Sequence, residues 1–378
     1  MVYNRIKNIL PVFRFEGTYI KVEEMTSGNI NSTYHLHYRS RSGKINHYTL
    51  QNINNFVFKD PMAAMNNICI VTEHLRRSIA ADGMDPERRV LEVISTKTGQ
   101  TMHIDQHGSY WRAYRFIDNA TPYDEIVKPE HFYEAGRAFG EFQKRLSDFP
   151  AEVLAETLPD FHNTTKRFYA FVAAVAADPV GRVAEVEEEI EYVFEHRKMS
   201  GEIVKLLAKG ELPLRVTHND TKLNNVLIDD ATDKAICVID LDTVMPGCAL
   251  YDFGDAIRYG ASTAAEDEPD TSKISLDMDL YRLFTEGFLS EVAGFLTEEE
   301  ILRLPLGVKV ITCELLMRFL TDYINGDVYF KVNSPQHNLI RTHAQMALLD
   351  DIERKYDQMQ AIVEECYRKE MARRESDK

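Results

Sequence analysis

The first third of the chain alternates apolar and polar residues, the pattern of strands that bury one face. Three such runs follow one another, TYIKVEEM, STYHLHY and HYTLQNI, which predicts antiparallel strands. Asp60-Pro61 combines a helix N-cap with proline at the first helical position, so a helix is expected to run to about Ala81. Further strands are expected at residues 89–94, 101–104 and 109–117.

After Thr121-Pro122 the apolar residues recur at three- and four-residue steps, as they do in amphipathic helices. Helices are expected at residues 131–146, 163–177, 184–209, 277–292, 297–323 and 335–371. The pattern therefore predicts an α+β protein, with a small antiparallel sheet followed by a mostly helical region.

Composition limits which partners the protein is expected to bind and in which compartment it is expected to work. The chain has 378 residues, 44% of them hydrophobic, which is enough to bury two modest cores. A formal net charge of −16 argues against nucleic acid or an anionic membrane as partner, because both would repel it. The five cysteines include no C-x-x-C pair, and no apolar run has the length of a membrane helix. We therefore expect a cytoplasmic enzyme that acts on a small molecule, as a monomer or small homo-oligomer.

The densest group of chemically capable residues begins at Val216. It contains His218-x-Asp220-x4-Asn225 and then, fifteen residues after the asparagine, Asp240-x-Asp242. Two β-branched runs separated by a polar turn lie between them, which predicts a hairpin. Asn225 and Asp240 would then flank the same end of that hairpin.

Phosphoryl transfer needs a carboxylate to orient and deprotonate a hydroxyl, and oxygen ligands to hold Mg²⁺ against phosphates. Asp220 would be the base, with Asn225 and Asp240 as metal ligands and Asp242 as a further oxygen donor. Lys222 can reach the transferring phosphoryl group. The spacing matches the H-R-D-x4-N loop and D-F-G aspartate of kinases. Taken singly, each of these residues is as well explained as a turn former.

The segments HNDTKLNN, IDLDTVMPG and YDFGDAIRYGAST resemble the aminoglycoside phosphotransferase-like kinase superfamily, which includes choline, homoserine and methylthioribose kinases. With GNINSTY at residues 28–34 and RFLTDYINGDVYFKV at 318–332, the chain is most similar to the N-acetylhexosamine 1-kinases. The resemblance implies a two-lobed, protein-kinase-like fold, with a nucleotide-binding N-lobe at residues 1–118 and a helical C-lobe at 119–378. It implies ATP and Mg²⁺ as cofactors, an alcohol group as acceptor, and a sugar 1-phosphate as product.

The resemblance also implies two sets of binding residues. The phosphate-covering loop, the third strand and the hinge would bind nucleotide through Ser27, Gly28, Asn29, Asn31, Gln51, Arg115, Phe116 and Ile117. Gln51 occupies the place of the usual strand lysine. The acceptor, an amino sugar, would contact His218, Asp220, Arg318 and Tyr329. A different interpretation of Arg318 is a surface ion ladder with Glu314 and Asp322, four residues to either side. For Asp252 both a brace for the catalytic loop and a helix cap are open.

Two other functions remain open from the sequence. One is a kinase for choline, homoserine or an aminoglycoside. The other is a nucleotide-binding regulator without catalysis, which the missing strand lysine favours.

Overall fold

The computed structural model describes residues 2–25 and 30–377, and its contacts divide the chain into two compact units. The sheet unit comprises Met1–Pro122, Asp148–Leu158 and Val226–Met245. The helical unit comprises Tyr123–Ser147, Pro159–Asn225 and Pro246–Lys378. Two later segments thus join the N-terminal part of the chain, while the division into functional domains after residue 118 stays a prediction.

Most strands of the structure lie in the first third of the chain and most helices in the rest, as predicted. The strands are β1 (Thr18–Met25), β2 (Ser32–Arg39), β3 (Ile45–Ile53), β4 (His103–Ile104), β5 (Tyr110–Arg115), β6 (Ala120–Pro122), β7 (Arg215–Thr217), β8 (Val226–Asp229), β9 (Ala235–Val238) and β10 (Met245–Gly247). The α-helices are α1 (Val2–Ile9), α2 (Pro61–Ala81), α3 (Pro129–Arg145), α4 (Thr164–Ala177), α5 (Glu187–Glu195), α6 (Glu202–Ala208), α7 (Ala249–Gly260), α8 (Met278–Val292), α9 (Glu298–Leu302), α10 (Leu304–Ile324) and α11 (His337–Ser376).

The main sheet of the sheet unit has the order β1-β2-β3-β5-β4, with antiparallel pairs throughout. Alternate residues of β2 and β3 are buried on one face, where Leu36 and Leu50 are fully covered. The opposite face is only partly covered and carries Thr33, His35 and Gln51, as the two-residue period of a strand requires. The predicted sheet is therefore confirmed, and so is the hairpin, in which Val226 pairs with Val238.

The strand predicted at residues 89–94 is wrong. Arg89 and Val90 both donate their backbone N–H to the carbonyl of Pro86, which closes a turn instead. Val93 forms one isolated bridge with Tyr114 of β5. Proline and the charged residues that follow it favour the turn over continued pairing.

Helix α2 begins as predicted, because Asp60 Oδ1 accepts the backbone N–H of Ala63 at 3.0 Å and Pro61 opens the helix. Its buried Asn67 ties later segments to the sheet unit. The Asn67 amide donates to the carbonyls of Ala155 and Val244 and accepts the N–H of Ala155. One buried side chain thus satisfies polar backbone groups from two segments more than eighty residues downstream.

Close helix contacts in the helical unit depend on glycines. A Cβ on Gly136 of α3 would lie 2.4 Å from the carbonyl oxygen of Phe284 in α8, and one on Gly307 of α10 would lie 2.1 Å from that of Leu250 in α7. Any other residue at these positions would hold the helices apart. The helices α3, α7, α8 and α10 therefore pack backbone against backbone.

Two predicted helices are interrupted. Residues 184–209 form α5 and α6 with a 3₁₀ segment, His196–Gly201, between them. Residues 297–323 divide at Arg303 because Pro305 has no N–H to give to the preceding turn, so α9 ends and α10 begins. Within residues 2–25 and 30–377, none of the helices combines the length and apolarity required to cross a bilayer.

Candidate active site

The loop after β7 is fixed by one buried carboxylate. Asp252, in the first turn of α7, is 1% exposed. Its Oδ2 accepts the backbone N–H of His218 at 2.9 Å and the Gln143 side-chain amide at 2.8 Å, and its Oδ1 accepts the N–H of Asn219 at 2.7 Å. Thr221 Oγ1 donates to the Asp252 carbonyl at 2.5 Å. Of the two interpretations of Asp252, the structure therefore supports a brace for the predicted catalytic loop.

Asn219 takes a left-handed backbone conformation, with φ of 64°. An asparagine tolerates this region better than most residues, and such conformations concentrate at functional sites. The turn lets two successive N–H groups face the same carboxylate. It also directs the next residue, Asp220, away from the core, with 26% of its side chain exposed.

Asp220, Lys222 and Asn225 lie together, as predicted. Lys222 Nζ is 2.9 Å from Asp220 Oδ1, and the Asn225 amide nitrogen donates to the Asp220 carbonyl at 2.8 Å and to Oδ2 at 3.1 Å. Burial acts to raise the pKa of Asp220, but the charge and hydrogen bond of Lys222, with help from His218 and Asn225, lower it below the ordinary value. The carboxylate is therefore ionised at neutral pH.

His218 lies below this group, fully buried between the rings of Phe139 and Phe142. Its Nδ1 accepts the backbone N–H of Asp220 at 3.3 Å. The imidazole thus supports the backbone of the loop, and its predicted contact with an acceptor stays a prediction.

A second polar group lies in the sheet unit, around Arg112 of β5. Both Arg112 Nη atoms donate to the Asp242 carboxylate, and Arg112 Nε donates to Gln51 Oε1 at 2.9 Å. Asn31 Nδ2 donates to Asp242 Oδ2 at 2.7 Å. The structure therefore brings together Asn31, Gln51 and Asp242, all predicted as site residues. The metal role of Asp242 stays a prediction, and its oxygens already accept three hydrogen bonds.

Sequence reasoning missed Arg112. The available signal was an arginine inside the apolar run YWRAY, since a buried guanidinium requires an anionic partner. Burial acts to lower the pKa of Arg112, but the adjacent Asp242 carboxylate reverses this and raises it, so the cation persists. In register, Arg112 lies opposite Gln51, which places its charge beside the position of the missing strand lysine.

Asp240 is the second residue after β9 and has a left-handed backbone with φ of 58°. It precedes a short 3₁₀ turn, Leu241–Thr243, that delivers Asp242 to Arg112. Asn225 belongs to the helical unit and Asp240 to the sheet unit, and their metal roles stay predictions.

The predicted nucleotide residues other than Asn31 and Gln51 fall in two groups. Ser27, Gly28 and Asn29 lie outside the described residues. At the predicted hinge, the Phe116 backbone N–H donates to the His47 carbonyl at 3.1 Å, and Arg115 pairs with Glu92 at 2.8 Å. Ile117 packs against Leu227 and Cys237 of the hairpin. Contact of these residues with adenine stays a prediction.

The ion ladder proposed for α10 is wrong as a surface feature. Glu314 is fully buried and Asp322 is 4% exposed. Glu314 Oε1 is 3.2 Å from His162 Nδ1 and 3.7 Å from an Arg318 nitrogen. Asp322 instead accepts backbone N–H groups from Val328 to Phe330, which folds the following loop back onto the helix.

That loop encloses Arg318 with aromatic rings. The guanidinium carbon lies 5.3 Å from the ring centroid of Phe161, 5.7 Å from that of Tyr329 and 5.4 Å from that of Phe330. Its side chain is 12% exposed, and no described residue accepts a hydrogen bond from its guanidinium. Arg318 and Tyr329, predicted as acceptor contacts, are thus neighbours, with Tyr329 half exposed at 54%.

Comparison with known proteins gives matches to the sequence and to the fold of the chain. The sequence profile of the family described as "Phosphotransferase enzyme family" matches residues 21–276. The fold is similar to that of a microcompartment-associated aminopropanol kinase (TM-score 0.56, 13% identity, covering 95% of this chain and 98% of that one). Amicoumacin kinase in complex with AMP-PNP and Ca²⁺ is similar at TM-score 0.57 and 11% identity, with 92% and 93% covered.

Choline kinase from Cryptosporidium parvum Iowa II is similar at TM-score 0.53 and 16% identity, with 94% of this chain and 95% of that chain covered. At such identities the likeness concerns the fold. It confirms the predicted kinase-like fold, with an antiparallel sheet in the N-terminal part and helices in the C-terminal part.

The Asp252 brace leads to a first prediction. Asp252→Asn replaces one accepting oxygen by an N–H₂ group that opposes a backbone N–H, so we expect a loss of about 1.5–3 kcal/mol in the free energy of unfolding. Backbone amides of His218 and Asn219 should exchange hydrogen faster. Denaturant unfolding and hydrogen exchange measured by mass spectrometry test both effects.

Asp279→Asn, at an exposed position in the first turn of α8, is the matched control. It should cost less than about 1 kcal/mol and leave exchange in the loop unchanged. Unaltered exchange in the Asp252 variant would show that the carboxylate does not hold the loop.

Proposed function

The chain belongs to the phosphotransferase enzyme family, and on that premise we propose that it is an ATP- and Mg²⁺-dependent kinase that phosphorylates a hydroxyl group of a small molecule. One observation carries the proposal: Asp220 is an ionised carboxylate paired with Lys222 and Asn225 on a loop that Asp252 fixes. A nucleotide-binding regulator has no use for a partly exposed carboxylate held beside a cation in this way.

Asp220 would orient the acceptor hydroxyl and take its proton. Its lowered pKa makes it a weak base, so proton transfer would follow rather than precede the movement of the phosphoryl group. This order suits phosphoryl transfer, whose transition state is loose and requires little early deprotonation. The Lys222 ammonium would balance the charge that builds on the phosphoryl oxygens.

The donor set fits Mg²⁺, which prefers oxygen ligands. Asn225 gives its amide nitrogen to Asp220, which leaves its side-chain oxygen as an acceptor. Asp240 would provide a carboxylate, and Asp242 the lone pairs that Arg112 and Asn31 do not use. When bound, the ion would neutralise phosphate charge and align the γ-phosphoryl group. These assignments combine the family membership with the chemistry of each side chain.

Arg112 weakens the main argument against catalysis, because it brings a positive charge beside Gln51. Strand β3 has Gln51 where kinases carry a lysine, so it lacks that positive charge. The neighbouring Arg112 guanidinium donates hydrogen bonds both to Gln51 and to Asp242. We assign to Arg112 the task of orienting Asp242, which differs from that of the strand lysine of protein kinases, a contact to the nucleotide phosphates. Glu73 of α2 pairs with Arg77, four residues on, and its side chain is 55% exposed.

For the acceptor we propose an N-acetylhexosamine, phosphorylated at its anomeric hydroxyl. Arg318 supports this because its guanidinium donors are unused within the described residues, while the adjacent Tyr329 presents a half-exposed ring. Sugar oxygens and an acetamido carbonyl accept from such a fork, and the apolar face of a sugar packs on an aromatic ring. An amine such as choline is the second candidate acceptor, because an aminopropanol kinase and a choline kinase are similar to this chain in fold.

The acceptor class is tested with purified protein, ATP and Mg²⁺ against a panel of GlcNAc, GalNAc, choline, ethanolamine, homoserine and an aminoglycoside, with ADP as readout. We expect kcat/KM for an N-acetylhexosamine to exceed that for every amine by at least about tenfold, which corresponds to 1.4 kcal/mol. An amine preferred by the same margin would replace the sugar. ATP binding without turnover of any acceptor would support the regulator instead.

Asp220→Asn should lower kcat by about 10²-fold or more and leave ATP binding nearly unchanged, because it removes the proton acceptor and no nucleotide contact. Since the pKa of Asp220 lies below its ordinary value, its carboxylate protonates only below about pH 4. The wild-type rate should therefore stay flat as pH falls to about 5. Steady-state kinetics and a pH profile check both points, and full activity in the variant would refute the base.

Arg318→Lys should raise KM for the acceptor about tenfold and leave KM for ATP unchanged, because an ammonium cannot reproduce the guanidinium fork. Arg303→Lys, at a half-exposed arginine paired with Glu299 in α9, serves as the control and should change neither constant. Acceptor and ATP are varied separately in these measurements. An acceptor KM equal to that of wild type would remove Arg318 from the acceptor site.

A further inference from the structure

Three histidines meet on the partly covered face of the main sheet. His35 and His37 lie two residues apart on β2, and His47 of β3 is paired in register with His37. One ring nitrogen of each lies within 4.8 Å of the others. All three side chains are partly exposed, so an ion in solution can reach them.

We propose that His35, His37 and His47 form a binding site for a divalent transition metal ion of the Zn²⁺ class. Three imidazole nitrogens from two adjacent strands satisfy three of the four positions of a tetrahedral zinc ion. A water molecule would complete the fourth. Neutral imidazole is a poor ligand for Mg²⁺, so this site would be chemically separate from the magnesium proposed for catalysis.

The present hydrogen bonds show how little must move. His35 Nε2 and His47 Nδ1 are 2.9 Å apart, a hydrogen bond in which one ring donates and the other accepts. In a tetrahedral site with Zn–N bonds of about 2.0–2.1 Å, two ligand nitrogens are roughly 3.4 Å apart. The two rings would therefore separate by about half an ångström, and the proton between them would move to the other nitrogen of the ring that carries it, so that both facing nitrogens could bind the metal.

Glu23 and Phe116 hold two of the rings in place. Glu23 Oε2 is 2.7 Å from His37 Nε2, the arrangement in which a carboxylate orients a metal-binding imidazole. The ring of Phe116 stacks on His35 with centroids 4.1 Å apart and planes inclined by 17°. Ligands fixed in advance lose less conformational freedom when they bind an ion.

Two carboxylates near the cluster add to its attraction for a cation. Facing the cluster from neighbouring elements are Glu23 of β1, paired with Lys21, and Asp118, whose Oδ1 is 4.0 Å from His47 Nε2. Both carboxylates favour a bound cation.

Metal binding is measured on the full-length protein after removal of metals by chelation. Zn²⁺ is titrated in competition with a chromophoric chelator, with Mg²⁺ in excess, and Co²⁺ binding is followed by its visible absorption. We expect one ion per chain, the intense absorption of tetrahedral Co²⁺ and a rise in Tm with Zn²⁺.

His37→Gln and His47→Gln each remove one ligand and should weaken Zn²⁺ binding by more than the 10–100-fold typical of an outer partner. Glu23→Gln should weaken it by about 10–100-fold. His107→Gln, in the exposed turn between β4 and β5, is the matched control and should bind as wild type does.

The variants retain all five cysteines. Zn²⁺ bound by thiols would therefore persist in the histidine variants, which distinguishes it from Zn²⁺ bound by the three histidines. Zn²⁺ affinity that is unchanged in both His37→Gln and His47→Gln overturns the proposal, as does wild-type protein that binds no stoichiometric ion. Circular dichroism and Tm of the metal-free variants show whether each has folded. These readouts do not depend on kinase activity, so the metal site and the proposed function can fail separately.

Discussion

The buried carboxylate of Asp252 is the constraint on which the candidate active site depends. An ionised group removed from water costs several kcal/mol unless hydrogen bonds replace its hydration. Here two backbone N–H groups from the β7 loop and the Gln143 amide from α3 replace part of it, while burial still raises the pKa of Asp252 above its ordinary value. Satisfying one carboxylate therefore fixes the backbone of His218 and Asn219, and with it the position of Asp220.

This arrangement requires α7 and its neighbours to approach closely, and glycines permit it. Gly254 of α7 and Gly307 of α10 leave no room for a side chain between the two helices, and Gly136 does the same between α3 and α8. Burial of the Asp252 carboxylate thus depends on the close packing of these helices. A larger side chain at any of these glycines would move the helix that carries Asp252 or the one that carries Gln143.

Local patterns predicted the elements, because strand alternation, the Asp60-Pro61 cap and the helical period depend on neighbours in the sequence. The site spacing was equally local: Asp220, Lys222 and Asn225 belong to one tight loop, so their proximity follows from their offsets. What the sequence could not supply were partners distant along the chain. Arg112 and Asp242 are 130 residues apart, and the residues around each do not indicate that the two form an ion pair.

The same limit explains why a surface ion ladder at Arg318 stayed open as the alternative to an acceptor contact. An i, i+4 series of charged residues indicates a shared helix face but not whether that face meets water. The face is buried because the Asp322 carboxylate accepts hydrogen bonds from the backbone of residues 328–330. These bonds hold Tyr329 and Phe330 against Arg318. A loop that follows the helix decided the environment of residues inside it.

That environment bears on the acceptor. The net charge of −16 would attract a cationic amine to the protein as a whole. Proteins that recognise such amines commonly enclose the ligand cation in aromatic rings. In this chain Phe161, Tyr329 and Phe330 already enclose the protein's own guanidinium, and Glu314 contacts His162 and Arg318. A second cation beside Arg318 would be repelled by the guanidinium, whereas a neutral polyol would meet donors that no described residue uses. The charge around Arg318, unlike the net charge, therefore supports the proposed sugar over an amine.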